Sequence, residues 1–508
     1  MNFIPTTALP ESTKKLVYVP PSHEKKQKDS ENQACYPLSE ELLFKQSNTV
    51  KPPQQQEVFV TSSVNDQIAP LKTMEQFFAV IPPQIILNIK KLQYISPSAI
   101  QQYTIPIAIT GSDILATSQT GTGKSAAFLI PSLSQILTEN LKKLTKSPQE
   151  HKSNYSAVAK PFIIILSPTR ELALQNFKAS CQFSFKTGIL TRVCYGGEGL
   201  KEQQIALKRG CDVLIGTPGR LKDYMKQKLI DFSYMKTFIL DEADTMINMG
   251  FINDIKFIRQ EIIEQTYQRS KSQLQTLMFS ATFPNSVKQI ANAFLNSPYY
   301  IRVGDIFSCA KNVKQIILKP QDFKKQLFLK FLLLQKGGAL VFCNTKATVA
   351  KLTKFLITEI QQKTLRQIPQ IQADEFAKIT DFDFCETEIL PQNVQSLSGD
   401  NTQQERNEAI ANFSNDALKM LICTDVAQRG IDLPNVQFVV NYEMPDTFEE
   451  YQHRIGRTGR AGKAGTAISF VGEFDSKEML KGVAGNLVRS ENEVPAWLQS
   501  IFERKRRK

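Results

Sequence analysis

The sequence lacks an apolar run long enough to cross a membrane: its longer runs, such as FIIIL at 162–166, fall far short of the roughly 20 residues that a spanning helix needs. Its amino terminus also lacks the charged start and apolar core of a secretion signal. Its eight cysteines form no CxxC pair, and its three histidines form no cluster. We therefore expect reduced cysteines in the cores of a soluble, membrane-free protein of the cytoplasm.

The length and charge of the chain limit the classes of protein to consider. A chain of 508 residues is too long for one compact core, and its 42% hydrophobic residues suffice for two or three domains. Lysine and arginine, at 62, outnumber aspartate and glutamate, at 49, which gives a formal net charge of +13. This balance favours a polyanionic partner such as a nucleic acid.

Composition divides the chain into regions. Residues 1–73 are rich in Gln, Ser, Lys and Pro with few periodic apolar positions, which predicts a disordered N-terminal extension. Short apolar strands then alternate with helix-like stretches over 74–306 and again over 315–485, with an irregular linker at 307–314. This alternation predicts two α/β domains, each with a mostly parallel sheet flanked by helices.

Two segments depart from this pattern. Residues 363–391 greatly exceed the median connection of about 4 to 6 residues, so they predict an insertion, either a disordered loop or a small accessory element. Residues 486–508 are predicted as a basic C-terminal tail. Its end, RKRRK, is a nuclear import signal, an RNA-contacting patch or a solvated run of charge.

The segment SQTGTGKS at 118–125 follows the predicted strand DILAT and has the form of a phosphate-binding loop that opens a helix. Its glycines let backbone N–H groups turn toward phosphate oxygens, and the helix start adds positive potential. Lys124 supplies a point charge, and Ser125 offers an oxygen to Mg²⁺. A chance glycine turn is the alternative, which the strand before and the helix after disfavour.

A second motif, TFILDEAD at 237–244, is a buried strand that ends in carboxylates at the carboxyl edge of the sheet, where ligands bind in such folds. Asp241 is suited to hold Mg²⁺ through water, and Glu242 to orient or deprotonate the water that attacks a γ-phosphate. A solvated acidic turn is an equal alternative for this motif alone. Together with the phosphate loop, the motif predicts a site that hydrolyses a nucleoside triphosphate.

Further motifs follow in order along the chain: PTRELA at 168–173, TPGR at 217–220, SAT at 280–282, VFCNT at 341–345, TDVAQRGID at 424–432 and HRIGRTGR at 453–460. With these motifs, about residues 75–500 resemble the DEAD-box RNA helicases of superfamily 2. The resemblance implies two tandem RecA-like domains, ATP and Mg²⁺ as cofactors, RNA as the partner and a monomeric protein.

The resemblance implies which residues bind ATP. Gln101 is expected to hydrogen-bond the adenine edge, with Phe77 or Phe78 stacking on the base. Either phenylalanine could instead be a core aromatic. Asp432 matches the residue that binds the ribose. The nucleotide-binding residues of the phosphate loop are Ser118, Gln119, Thr120, Gly121, Thr122, Gly123, Lys124 and Ser125.

By the same resemblance, Arg457 and Arg460 reach the phosphates when the two domains close, so closure is expected to switch hydrolysis on. Solvated basic residues are the alternative. The predicted catalytic set is completed by Lys124, Asp241 and Glu242. Four polar residues resemble a network that couples the ATP state to the grip on RNA, although each could simply cap a helix or turn: Asp244, Ser280, Thr282 and His453.

RNA is expected on the opposite face of the cleft, through contacts to phosphate and sugar oxygens that carry no base sequence. Binding should therefore be largely independent of sequence and weakened by salt. The matching residues in the first domain are Pro168, Thr169, Arg170, Gly197, Thr217, Pro218 and Arg220. Those in the second domain are Asn344, Thr345, Gly399, Gln403, Arg406 and Thr424.

Some stretches are similar to the Vasa/Ded-like subfamily, among them NIKKLQYISPSAIQQYTIPI and EVPAWLQ at 493–499. That similarity implies action on mRNA in translation initiation, with initiation or mRNP proteins as partners. The predicted activity is ATP-driven, local and non-processive unwinding of RNA duplexes or remodelling of RNPs. An RNA clamp with little unwinding and a DNA-directed motor are the alternatives. The expected location is the cytoplasm, with nuclear shuttling if the tail is an import signal.

Overall fold

The computed structural model describes two parallel-sheet α/β domains, as the sequence predicts. The described residues are 40–44, 57–62, 68–118, 121–146, 158–197, 200–270, 273–304, 313–320, 329, 332, 337–363, 388–425, 433, 436–459 and 464–503. Among the helices in these ranges, none is long and apolar enough to span a bilayer. The cysteines within them are free thiols: Cys181, Cys194, Cys211, Cys343 and Cys423.

The first domain contains an eight-stranded sheet in the order β1-β8-β2-β7-β6-β3-β5-β4. Strands β1–β8 are Val58–Ser62, Ile114–Thr117, Ile163–Leu166, Thr191–Cys194, Val213–Gly216, Thr237–Leu240, Gln275–Ser280 and Tyr299–Val303. Helices α1–α11 are Glu40–Phe44, Met74–Val80, Pro83–Lys91, Ala99–Ile109, Lys124–Lys146, Arg170–Phe183, Leu200–Lys208, Pro218–Lys226, Ala243–Asn248, Ile252–Ser270 and Asn285–Phe294. All neighbouring strands are parallel except β1, which pairs antiparallel with β8.

The central strands are buried on both faces, which is why they read as continuous apolar runs. In β3, for example, Ile163 and Ile165 pack into one hydrophobic cluster, whereas Ile164 and Leu166 pack into the other. Successive side chains of a strand point to opposite faces, so each cluster lies between one face of the sheet and its covering helices. The domain therefore has one core on each side of its sheet.

The second domain contains a six-stranded parallel sheet in the order β11-β12-β10-β13-β14-β9. Strands β9–β14 are Val313–Leu318, Gly338–Phe342, Val394–Leu397, Met420–Cys423, Val436–Asn441 and Gly465–Phe470. Helices α12–α16 are Lys346–Gln361, Gln403–Ser414, Phe448–Ile455, Lys477–Arg489 and Ala496–Glu503, and a short 3-10 helix spans Pro391–Asn393. As in the first domain, Leu340 and Phe342 of β10 face one core and Ala339 and Val341 the other.

The first domain begins earlier than the predicted start at residue 74. Val58–Ser62 forms the edge strand β1, in register with Tyr299–Val303, so this part of the predicted extension belongs to the sheet. The strand was missed because the apolar alternation of VFVTS is only five residues long and follows the polar run KPPQQQ. An antiparallel edge strand needs only one buried face, so its sequence signal is weak.

The second domain also extends further than predicted. Helix α15 continues to Arg489, and α16 packs against the core through Leu498, which is 0% exposed, so most of the predicted tail at 486–508 is folded. Strand β9 starts at Val313, two residues before the predicted domain start. Outside the described residues lie, among others, 1–39, 364–387 of the predicted insertion, 307–312 of the predicted linker and the basic end 504–508.

Candidate active site

The predicted phosphate loop and acidic motif meet at the carboxyl edge of the first sheet. Because the sheet order is β2-β7-β6-β3, the residues that follow these strands are neighbours. The Ser118 amide donates to the Ser280 carbonyl at 3.2 Å, and the Asp241 amide donates to the Leu166 carbonyl at 3.0 Å. Four separate motifs of the sequence are thus joined along one edge.

In the phosphate loop, Lys124 opens helix α5 with its side chain buried. Its ammonium donates to the Ser118 carbonyl at 2.9 Å, so the lysine side chain folds back over the phosphate loop. The Ser118 hydroxyl lies 2.8 Å from the Thr122 hydroxyl. Gln119 and Thr120 lie outside the described residues. This compact turn before a long helix is the geometry that presents backbone N–H groups and a lysine to phosphate.

Gln101 holds the phosphate loop against helix α4. Its amide nitrogen donates to the Gly123 carbonyl at 3.2 Å, while its amide oxygen accepts the Ser98 N–H at 2.9 Å. Gly123 has a φ of +92°, and a Cβ there would lie 2.4 Å from the Gln101 nitrogen. Gly123 is therefore needed both for its backbone conformation and for this close contact. The sequence predicted an adenine contact for Gln101 but not this link to the loop.

The two candidate stacking residues have different environments. Phe77 is 1% exposed within the first hydrophobic core, so neither face of its ring is open to a base. Phe78 is half-buried, and the Lys90 ammonium lies 5.2 Å from its ring centroid. We therefore correct the assignment of Phe77, which is a core aromatic, and keep Phe78 as the predicted stacking residue.

Asn176 joins the two residues predicted to hold Mg²⁺. Its amide oxygen accepts the Ser125 hydroxyl at 3.0 Å, and its amide nitrogen donates to Asp241 Oδ2 at 2.8 Å and to the Ser167 hydroxyl at 3.1 Å. Asn176 is fully buried on helix α6. Sequence reasoning missed it, although it lies two helical turns after Thr169 on the face that meets the sheet.

The acidic motif holds its carboxylates in unusual environments. Burial, together with the charge of the neighbouring Glu242, raises the pKa of Asp241 to about 6, although the Asn176 hydrogen bond and the Lys124 charge act in the opposite direction. Glu242 has a φ of +52° in the left-handed region, which is uncommon for a residue other than glycine. Such strain is typical of functional sites.

Asp244 is the centre of the predicted coupling network. Its Oδ2 accepts the Thr282 hydroxyl at 2.7 Å and the Thr282 amide at 2.9 Å, and the Ser280 hydroxyl donates to the Thr282 carbonyl at 2.6 Å. His453 Nε2, on α14 of the second domain, lies 3.6 Å from the same oxygen. Burial alone would raise the pKa of Asp244, but His453 and the Thr282 hydroxyl together hold it well below its usual range. All four residues therefore meet, across both domains.

Arg454, next to His453, organises the second domain and was missed by sequence reasoning. It is 1% exposed and donates to both carboxylate oxygens of Asp425, from Nε at 2.8 Å and from Nη2. It also donates to the Asn344 amide oxygen at 2.8 Å and to the Glu443 carbonyl at 2.7 Å. This arginine therefore ties three loops to the helix that carries His453.

The two predicted arginine fingers are only partly described. Arg457 is buried just after α14, and its Nε donates to the His453 carbonyl at 3.3 Å. Arg460 and the predicted ribose-binding residue Asp432 lie outside the described residues. Arg457 thus belongs to the same turn as the histidine that contacts the first domain.

The predicted RNA residues of the first domain lie in three adjacent loops, because β3, β5 and β4 are neighbours and each loop follows one of them. Gly197 has a φ of +103°, and a Cβ there would lie 2.0 Å from an Arg170 nitrogen. A Cβ at the adjacent Gly196 would lie 3.8 Å from an Arg220 nitrogen. The guanidinium groups of Arg170 and Arg220 therefore lie against the loop that contains Gly196 and Gly197. The other predicted residues, which lie at or just before the starts of helices α6 and α8, are Pro168, Thr169, Thr217 and Pro218.

In the second domain, the predicted RNA residues follow β10, β11 and β12, which are also neighbours. Asn344 donates to the Met444 carbonyl at 2.8 Å, and Thr345 caps helix α12 by accepting the Thr348 amide at 3.1 Å. Gly399, Gln403 and Thr424 lie in or beside these loops.

Arg406 is oriented across the cleft. Its Nη2 lies 3.0 Å from Glu171 Oε1 of the first domain, an ion pair with both side chains largely buried. The sequence predicted an RNA contact for this arginine, but in this structure its guanidinium pairs with an acid. Glu171 was missed because nothing in PTRELA indicates a partner so far along the chain.

Comparisons with known proteins agree with this arrangement. A family model described as DEAD/DEAH box helicase matches residues 98–290, and one described as helicase conserved C-terminal domain matches residues 322–462. The rice protein named DEAD-box ATP-dependent RNA helicase 52A (Oryza sativa subsp. japonica) is 36% identical over 420 residues, which cover 83% of this chain. The match spans 65% of that relative's length.

Among solved structures, S. cerevisiae Dbp5 bound to RNA and ADP BeF3 is 26% identical, with a TM-score of 0.61 over 84% of this chain and 99% of that one. A variant of the same yeast protein bound to a Gle1 variant and IP6 is also 26% identical, with a TM-score of 0.57 over 86% of this chain and 99% of that one. With both domains matched in order and their motifs assembled as described, the chain belongs to the DEAD-box RNA helicase family.

Proposed function

We propose that the protein is an RNA-stimulated ATPase that uses ATP binding and hydrolysis for local, non-processive unwinding of RNA or remodelling of RNPs. The observation that carries this proposal is the 3.6 Å approach of His453 to Asp244, since it links the arginine-bearing motif of one domain to the acidic motif of the other. The yeast relative Dbp5, which this chain resembles in fold, has been solved with RNA and ADP BeF3 bound. That complex supports the same two classes of ligand here.

In this proposal Lys124 holds the phosphates of ATP. Its ammonium now donates to the neutral carbonyl of Ser118, and the charged oxygen of a phosphate would compete with that acceptor. Glu242, at the strained start of α9, orients or deprotonates the attacking water. Phe78 and Gln101 bind adenine, and Asp432 binds the ribose.

Ser125 and Asp241 would hold Mg²⁺, and these residues fit such an ion. Hard oxygen donors are what Mg²⁺ prefers, and the buried Asp241 carboxyl, with its raised pKa, is a group whose charged form a cation would stabilise. When bound, the ion neutralises phosphate charge. Asn176 keeps both oxygen donors in position.

Arg457 and Arg460 complete the site from the second domain. Arginines of this type increase hydrolysis about 10³- to 10⁵-fold in other NTPases, so turnover should depend on closure of the domains. Closure would also align the RNA-facing loops of the two domains. The three loops that carry Arg170, Gly197 and Arg220 suit phosphate oxygens, since they offer two guanidiniums beside a glycine backbone.

We further propose that the RNA is mRNA during translation initiation, with initiation or mRNP proteins as partners. The support is the set of stretches similar to the Vasa/Ded-like subfamily. For the protein itself we propose a cytoplasmic monomer that enters the nucleus if its basic end is an import signal. Crosslinking the protein to its bound transcripts in cells tests the assignment to mRNA, and recovery of only ribosomal or spliceosomal RNA would refute it.

The activity is tested by measuring ATP turnover alone, with RNA and with DNA, followed by displacement of an RNA duplex. We expect stimulation by RNA and ATP-dependent displacement of short duplexes. Stimulation without displacement would favour the RNA clamp instead. Stimulation by DNA but not by RNA would favour a DNA-directed motor.

A further inference from the structure

Helix α1, Glu40–Phe44, is a short segment held on the first domain by tertiary contacts. A helix of five residues does not persist alone in water. Leu43 is nevertheless only 3% exposed, and the Gln182 amide nitrogen donates to the Leu43 carbonyl at 2.6 Å. Contacts with the domain, and not the helical propensity of EELLF, therefore fix its conformation.

Charge fixes the first residue of this segment. One carboxylate oxygen of Glu40 accepts the Lys91 ammonium, and the other accepts the Lys186 ammonium at 3.3 Å. Lys91 ends helix α3, and Lys186 lies just after helix α6. Glu40 therefore bridges two helices of the domain.

Aromatic packing fixes the last residue. The rings of Phe44 and Phe185 meet edge to face with centroids 5.6 Å apart. The Lys91 ammonium lies 5.4 Å from the Phe44 centroid and 5.0 Å from that of Phe185. Cations over aromatic faces are attracted by the ring quadrupole. We define the α3–α6 surface as Lys91, Gln182, Phe185 and Lys186. This surface contacts an acid, a buried leucine carbonyl and an aromatic ring, which follow one another along α1.

The α3–α6 surface is also organised by contacts that do not involve α1. The Asn88 amide nitrogen, buried on α3, donates to the carbonyls of Phe183 and Phe185, both at 2.8 Å. Tyr94 packs edge to face on Phe183 with centroids 6.1 Å apart. These contacts hold the ends of the two helices together, so the surface should persist when the segment leaves.

We infer that the α3–α6 surface is a docking site for short helices with the pattern acid–x–x–Leu–Phe, and that Glu40–Phe44 of the same chain is its resident occupant. Docking within one chain is favoured by effective concentration, so a free peptide competes poorly with it. A partner protein that presents the same pattern at high local concentration would displace the segment and release the N-terminal region of the chain. This role is independent of ATP and RNA.

The test uses the full chain and a fluorescent peptide of residues 36–47, with binding followed by anisotropy in the absence of nucleotide and RNA. Leu43→Asp with Phe44→Ala removes the buried leucine and the aromatic ring of the resident segment, so that of the side-chain contacts described only those of Glu40 are left to hold it, and does not change the residues of the α3–α6 surface. We expect the peptide to bind this variant about ten-fold more tightly than wild type, because the intramolecular competitor is weakened. Equal binding to both proteins would overturn the inference.

Charge reversal supplies the specificity control. Adding Lys91→Glu and Lys186→Glu to the Leu43→Asp, Phe44→Ala chain should weaken peptide binding by about ten-fold, since two charge-assisted contacts are lost. A peptide that carries Glu40→Lys should recover the lost affinity. The matched change Lys201→Glu with Lys208→Glu, on the exposed side of α7, should have no effect. Peptide binding that does not change when Lys91 and Lys186 are reversed in charge would contradict docking within one chain. A dimer whose formation depends on Leu43 would contradict it as well.

Discussion

At the scale of single residues, the charged form of Asp241 lowers the stability of the folded protein, although the proposed function needs that form. The unfolded chain has an ordinary aspartate pKa near 3.8, whereas the folded chain raises it to about 6. The folded state therefore binds this proton more tightly. The contribution of Asp241 to stability falls as pH rises from about 4 to 6 and stays low above that range. The ionised carboxylate is retained because the proposed Mg²⁺ site needs it.

We accordingly predict that Asp241→Asn raises the thermal stability of the nucleotide-free protein above pH 6, by up to about 3 kcal/mol, since about two pKa units of burial penalty are removed. The amide oxygen can still accept the Asn176 hydrogen bond. Thermal unfolding from pH 4 to 8 checks this, and the gain should vanish near pH 4. ATP turnover should be lost at every pH. A variant less stable than wild type at pH 7.5 would contradict the account.

Lys124 and Glu242 test the chemistry without disturbing the core. Lys124→Ala removes the phosphate charge, and Glu242→Gln removes the proposed base while conserving shape, so both should nearly abolish ATP turnover. Circular dichroism and the melting temperature should stay close to wild type. Wild-type turnover in either variant would refute the assigned roles. Lys201→Ala, on exposed α7, is the matched lysine control.

Sequence reasoning assigned roles only to residues that lie in contiguous motifs. The phosphate loop and the DEAD segment each combine a strand, a turn and a helix start, so local pattern and chemistry coincide there. Asn176, Arg454 and Glu171 were missed because key partners lie far along the chain. Asn176 is 51 residues from Ser125 and 65 from Asp241, and Arg454 is 110 residues from Asn344. Glu171 pairs with Arg406 of the other domain. Such contacts depend on which strands become neighbours, and a single sequence does not show this.

At the scale of elements, the periodic strands and helices were predicted well, while the edges of both domains were not. The strand β1 has only five residues, none of them fully buried, so it gave little signal. The helix α16 looked like part of a basic tail because charges follow it, although Leu498 and Trp497 pack against the second core. At both domain ends, the local composition predicted a tail or extension, whereas tertiary packing folds the segment onto the domain.

The folded state of α16 leads to a prediction. Leu498→Ala removes a side chain that is 0% exposed, so it should destabilise the second domain by about 2 to 5 kcal/mol. Val488→Ala, at a position 58% exposed on α15, should change stability by less than about 0.5 kcal/mol. Hydrogen exchange of the α15 amides in the full chain measures both effects. Equal protection in the two variants would show that α16 does not pack on the domain.

At the scale of the whole molecule, the described part of the chain contains two contacts that join the domains beside the cleft. Glu171 pairs with Arg406, and Asp244 approaches His453. One contact lies among the predicted RNA loops and the other beside the proposed ATP site. If ATP and RNA bind as proposed, both would act on the same closure, so binding of one would favour binding of the other.

Charge reversal of the first pair tests this coupling. Glu171→Arg or Arg406→Glu alone should disfavour closure strongly, since breaking a largely buried pair typically costs about 3 to 5 kcal/mol. The double variant should recover part of the loss. Fluorescence energy transfer between dyes on the two domains, with an ATP analogue but without RNA, follows closure apart from any RNA contact of Arg406. Single variants that close like wild type would contradict the role of this pair.

In the proposed mechanism, groups from both domains hold one nucleotide, and a structure of the chain with ADP–beryllium fluoride and single-stranded RNA would show whether they do. We expect the Lys124 ammonium and the Arg457 and Arg460 guanidiniums all to lie within hydrogen-bonding distance of the nucleotide's phosphates or the fluoride. Arginines directed away from the nucleotide, with both ligands bound, would refute the mechanism.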